Sequence, residues 1–180
     1  MRPASGRLAR AAASVLSLLA ALVGCSPAFD WREVRPAGSG VTALFPCRPD
    51  QHERTVRIAG ADRRMQLHSC DAAGATFSLA VVDAAEPAAV EPLLAEMKAS
   101  VAANLGGQAS AAQPFAPPGA TPNPASSLLR VAGRLPDGRP VAGGAGFFVH
   151  GVRVYQATAI GEALPEDSLT SFFAAIKLTP

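Results

Sequence analysis

The sequence predicts an α+β domain in which an antiparallel sheet is covered by two amphipathic helices. Three observations carry this reading. Arg54–Ile58 and Arg64–His68 alternate polar and apolar residues, as half-buried antiparallel strands do. Residues 87–105 switch to helical spacing, with Val90, Leu93, Leu94, Met97, Val101 and Leu105 on one stripe. A second stripe, Leu169, Phe172, Phe173 and Ile176, follows Pro165. A helix with one apolar side needs a layer to cover, so strands and helices belong to one packed unit.

Taken in order, residues 25–40 read as a tether, polar and broken by Pro27, Pro36, Gly38 and Gly40, with Trp31 free to pack back onto the domain. The domain itself is expected over 41–180. Its first strands are Val41–Cys47, His52–Ala59, Arg63–Asp71 and Thr76–Asp83, with Gly60-Ala61-Asp62 as a hairpin turn. Pro87 suits the first position of the following helix, and Gly106-Gly107 is its stop signal. Residues 108–127 hold Pro114, Pro117, Pro118, Pro122 and Pro124 and read as a long loop with one strand at most. Strands Ser127–Leu135, Val141–His150 and Val152–Ile160 follow, punctuated by Asp137-Gly138 and His150-Gly151. Glu166 and Asp167 favour the start of the second helix through its dipole, and Lys177-Leu178 is a last extended piece.

The first 24 residues have a different character. Arg2, Arg7 and Arg10 precede a charge-free apolar run from Ala11 to Val23, the arrangement of a secretory signal peptide. The run is too short for an ordinary transmembrane helix, which needs about 20 apolar residues. Leu22-Val23-Gly24-Cys25 closes it and resembles the lipobox of a bacterial lipoprotein. That resemblance implies cleavage before Cys25 and lipidation of Cys25. Ser26 stands where inner-membrane retention shows Asp, which implies an outer-membrane lipoprotein facing the periplasm.

Removing the signal peptide leaves 156 residues, the size of one domain. The sixteen basic residues fall to thirteen against fourteen acidic ones, a net charge of −1. No basic patch with interleaved aromatics survives, which argues against nucleic acid as a partner. The expected partners are the membrane, through the N-terminal lipid, and another envelope protein.

Further motifs resemble the PsbP-like fold, named for an extrinsic subunit of the photosynthetic oxygen-evolving complex. They are Leu44-Phe45-Pro46 after the first strand, Val154-Tyr155-Gln156-Ala157 in the last long strand, and Ser171–Leu178, rich in Phe. The resemblance covers residues 41–180 and implies a non-catalytic module that binds or assembles something larger. A small-ligand or metal-binding envelope lipoprotein is the alternative, and a purely structural envelope component a third reading.

No catalytic residues and no cofactor are expected. His52, His68 and His150 lie on strands or turns, without a Gly-x-Ser-x-Gly elbow or a His-Glu-x-x-His pair. Gly143-Gly144-Ala145-Gly146 sits within a strand and reads as a bulge or close backbone packing. Cys47 and Cys70 form an even pair suited to a disulfide in an oxidising compartment. With His52 and His68 they also make a zinc- or copper-type ligand set. Strand parity splits that set: His52 turns inward with Val56 and Ile58, whereas His68 and Cys70 turn outward from Met65 and Leu67. In a simple meander the two cysteines would lie about 9–10 Å apart, beyond the roughly 7 Å reach of a disulfide. One of them must therefore leave its strand, and Pro46 and Pro49 mark the Cys47 end. Arg153 and Tyr155 share a strand face and are a candidate binding surface.

Overall fold

A computed structural model describes residues 29–105 and 108–179; the lipobox, with Cys25, and the Gly106-Gly107 stop lie outside the described residues. The eight expected extended stretches become strands with bounds close to those expected: β2 (Val41–Phe45), β3 (Asp50–Ile58), β4 (Ala61–Ala72), β5 (Ala75–Asp83), β7 (Ser127–Arg134), β8 (Pro140–His150), β9 (Arg153–Gly161) and the short β10 (Lys177–Leu178). A 3-10 turn at Pro87–Ala89 leads into α1 (Val90–Asn104), and Pro165 caps α2 (Glu166–Ala174). Two further strands appear, one where a tether was expected and one within the single strand allowed for 108–127. β1 (Arg32–Val34) lies within the tether segment, and β6 (Gln108–Pro114) opens the proline-rich connection.

These strands form two sheets. Seven are hydrogen-bonded in the order β3-β4-β5-β9-β8-β7-β6, each to its neighbour antiparallel. The other three, β1-β2-β10, form a small sheet of their own. β2 is therefore not the first strand of a meander with β3 and β4. It lies across the face of the large sheet, which resolves the distance problem: Cys47 sits just past the end of β2, and its Cα is 6.0 Å from that of Cys70 in the disulfide.

Each face of the large sheet is covered by a different layer. On one, α1 buries Val90, Leu93, Leu94, Met97 and Val101 against Val82, Val131, Phe147 and Val154. On the other, α2 and the small sheet bury Phe172, Phe45 and Val41 against Phe77, Leu79, Phe148 and Tyr155. Phe172 packs edge-on to both Phe45 and Phe77, at ring-centroid distances of 5.6 and 5.3 Å. The α1 stripe is buried as its spacing requires, but its outer side carries Ala95, Ala99 and Ala103, so the helix has little polar contrast.

The glycine run of β8 accommodates this packing. A Cβ on Gly144 would stand 2.9 Å from the Phe173 ring, and one on Gly146 would stand 2.7 Å from that of Phe115. The segment after β6 is held at several points. Thr121 N donates to Val149 O at 2.8 Å, Leu178 N to Pro118 O at 2.8 Å, and Asn123 Nδ2 to Glu91 Oε1 at 2.6 Å. Lys98 Nζ donates to Ala125 O, and burial there depresses the ammonium below its ordinary value.

The disulfide staples the small sheet to β4. Reduction should lower unfolding stability by roughly 3 kcal/mol on loop-closure grounds. Urea unfolding with and without dithiothreitol measures this, and a Cys47→Ala/Cys70→Ala variant should show no effect of the reductant.

Candidate functional site

Three neighbouring strands change character at the same level on the face that carries the small sheet. Along β5 the side chains on this face run Phe77, Leu79, Val81 and then Asp83. Along β9 they run Ala159, Ala157, Tyr155 and then Arg153. Along β4 they run Cys70, His68, Gln66 and then Arg64. Where the small sheet stops covering the large one, polar residues begin.

They enclose a basin of about 210 Å³ lined by Arg64, Gln66, Val81, Asp83, Arg153 and Gly38. Its far wall is the turn between β1 and β2. Ser39 N and Oγ both donate to Pro36 O, at 3.1 and 2.7 Å, and Gly38 takes the left-handed φ of +70° that a Cβ disfavours. Tyr155 Oη donates to Ser39 O at 2.6 Å and ties this wall to the sheet beneath.

Within the basin, Asp83 Oδ1 accepts from Ala85 N at 2.7 Å, which fixes the carboxylate. Asp83 and Arg153 are register partners on β5 and β9. Arg64 forms an ion pair with Glu53 on the adjacent strand. Two guanidinium groups, one carboxylate and one carboxamide thus converge from three rigid strands. This set can orient a small polar ligand that carries a carboxylate or another planar anion. Among the described residues, no hydroxyl, thiol or imidazole lines the basin.

Arg153 therefore lies where a binding surface was expected, but Tyr155 does not. Both project from the same face, yet the Tyr155 ring is fully buried and stacks on Phe148 at 4.8 Å with planes 5° apart. Burial holds its phenol above the ordinary value of 10, with Arg153 acting in the opposite sense. It is a core residue because the small sheet covers it.

The parity expected for the histidines needs the same correction. His68 and Cys70 are on the opposite face from Met65 and Leu67, as alternation requires. That face is interior too, so both residues are buried. His52 lies on the α1 side and is exposed. The four candidate metal ligands are thus not brought together, since both cysteines are consumed in the disulfide and the histidines are on opposite faces. Among the described residues, no group of three or more His, Cys, Asp or Glu side chains is placed to hold a metal ion. His150, at the end of β8, has its Nδ1 2.9 Å from Gly119 O.

A larger groove, about 540 Å³, lies between the β7–β8 pair and the start of α2. Its floor is made of Ala132, Ala142 and Gly143, and the ion pair of Arg130 Nη1 with Glu166 Oε2, 2.8 Å long, crosses its rim. Arg130 holds the Glu166 carboxyl below its ordinary value.

The sequence reading missed Arg64, Gln66 and Asp83. The signal was present as apolar-to-polar runs at period two, but it becomes a site only once β9 is known to pair with β5. The chain matches no protein-family model and no curated protein.

Two outcomes follow from these contacts. Tyr155→Phe should cost about 1–3 kcal/mol, because the buried Ser39 carbonyl loses its donor; differential scanning calorimetry measures this. His68 Nε2 is buried without a partner, and burial depresses the imidazole below its ordinary value of 6.5. The unfolded chain then binds the proton more tightly than the folded one. Stability should therefore be full above pH 6.5 and decline as pH falls below it. Comparing melting temperatures of wild type and His68→Leu between pH 7.5 and 5 isolates this contribution.

Proposed function

We propose that this chain is a lipid-anchored envelope protein at the periplasmic side of the outer membrane, and that its PsbP-like domain is a non-catalytic binding or assembly module. The observation that carries the proposal is the disulfide: a structural staple of this kind belongs to an oxidising compartment, where the lipobox at Leu22–Cys25 would deliver the chain. The residues behind the PsbP-like resemblance are spread over three elements of the fold. Phe45 ends β2 with Pro46 just past it, Tyr155 lies near the start of β9, and Phe172-Phe173 face the core from α2. They are all packing residues, which supports a shared scaffold and assigns no chemistry. On this reading the exposed end of the large sheet, with Arg64, Asp83 and Arg153, is the recognition surface.

Lipidation gives the sharpest test. Cys25→Ser should release the protein from the membrane fraction while leaving its melting temperature unchanged, since residue 25 precedes the packed domain. Persistence of the variant in the membrane with unaltered processed mass would overturn the anchor. Cross-linking in intact envelopes, with the same variant as control, should capture one stoichiometric partner that the control loses. Capture of none would favour the second reading, a small polar ligand in the basin, for which the two arginines speak.

A further inference from the structure

β3 forms one edge of the seven-stranded sheet, and along Asp50–Thr55 every residue is exposed. Its inner side is fully paired with β4, from Asp50↔Ser69 to Ile58↔Ala61. The turn between the two strands is a two-residue one: Ala59 and Gly60 have φ of +50° and +75°, the values of a type I′ hairpin. Such a turn makes Ile58 and Ala61 exchange both of their hydrogen bonds, and the ladder then alternates. Ile58, Val56, Arg54, His52 and Asp50 point their amides at β4. Gln51, Glu53, Thr55 and Arg57 point theirs outward. Those four residues therefore present a row of donors and acceptors to solvent along a rigid strand, whose tip is tied to α1 by the 2.7 Å bond from Ala59 N to Glu96 Oε2.

Exposed edges are commonly blunted by charge, so the arrangement of charge along this edge decides what it can accept. A second copy pairing antiparallel must match outward-pointing residues with each other, which allows only every second register. With Thr55 on the two-fold axis, Glu53 of each copy stands opposite Arg57 of the other. A shift one way sets Arg54 opposite its own copy, a like-charge pair that disfavours pairing. A shift the other way moves Glu53 past Arg57 to face Ala59. The favourable register also extends pairs that exist within each chain. Arg57 already bonds Asp62 at 3.4 Å, and Glu53 is ion-paired with Arg64. All four project from the same face, so dimerisation would join them into a row Asp62, Arg57, Glu53 of the second copy, Arg64 of the second copy. The signs alternate along it, and it repeats on the other side of the axis. Isolated surface ion pairs contribute little, whereas networks of this sort contribute more.

We infer that β3 is a self-association edge: two copies of this chain pair their β3 strands antiparallel about Thr55, joining the two sheets through an isologous interface. A contact one strand long is small beside standard interfaces, so the dimer is weak and concentration-dependent.

Sedimentation velocity of the full chain in detergent, over a concentration series, tests this directly. The wild type should shift from monomer to dimer as concentration rises. Glu53→Arg and Arg57→Glu each place like charges opposite one another twice, and each should weaken dimerisation at least tenfold. The double variant restores both pairs and should return to within about threefold of wild type. The two single variants, mixed, should form a heterodimer although neither self-associates. In that mixture positions 53 and 57 are both positive on one copy and both negative on the other, so every facing pair is attractive. Both positions are exposed, so unchanged melting temperatures confirm that the fold is intact. A wild type that remains monomeric at every concentration, or single variants that fail to complement each other, would overturn the inference.

Discussion

β5 and β9 lie side by side at the middle of the large sheet and bury apolar side chains on both of their sides. Phe77, Leu79 and Val81 face one way and Ala80 and Val82 the other, while Tyr155 and Ala157 back onto Val154. A sheet with apolar side chains on both faces needs cover on each, and α1 together with α2 cannot supply it completely, because α2 spans only nine residues. The rest of the architecture answers that constraint. The chain recruits its first strands and its last to build a second small sheet, and a disulfide keeps that sheet in place over β4. The aromatic cluster of Phe45, Phe77 and Phe172 fills the space where the three layers meet.

Where the cover ends, the basin begins, and the two are structurally one feature. The turn at Pro36–Gly40 has to pass over the sheet at that level, and Tyr155 reaches up from the sheet to hold it. One buried hydroxyl therefore fixes the distance between the wall of the basin and its floor. The arginines and Asp83 stand on strand backbones already held on both edges, so they are positioned before any ligand arrives.

Much of this was legible in the sequence and some was not, and the division follows the range of the interactions. The strands from β3 to β5 and from β7 to β9 are set by local alternation and by short turns, so their bounds were readable to within a few residues, although the turn expected at Gly60-Ala61-Asp62 falls at Ala59-Gly60 and leaves Ala61 and Asp62 in β4. Both helices were visible from their buried stripes, although the alanines outside α1 blunt the contrast between its sides. β1 was hidden because three residues, Arg32 to Val34, are too few to show a period. The pairing of β5 with β9 was hidden because it joins residues 70 to 86 positions apart. With it were hidden the burial of His68 and Tyr155 and the meeting of Arg64, Asp83 and Arg153. Parity placed side chains on the correct strand faces, but it cannot say that the second face is also interior.

The closing of the small sheet has a bearing on how the domain comes together in time. β2 is completed on one side by β1, close in the chain, and on the other by β10, where Val41 pairs with Leu178. Nearly the whole length of the domain separates those partners, and contacts of such long range form slowly. Until β10 arrives, the aromatic face beneath β2 has only a partial roof. The short loop between Cys47 and Cys70 closes with far smaller entropic cost, so oxidation can hold β2 over β4 while the remaining strands assemble. Beyond its contribution to the finished domain, the disulfide thus ties β2 to β4 across 23 positions, a far shorter loop than the one that closes the small sheet through β10.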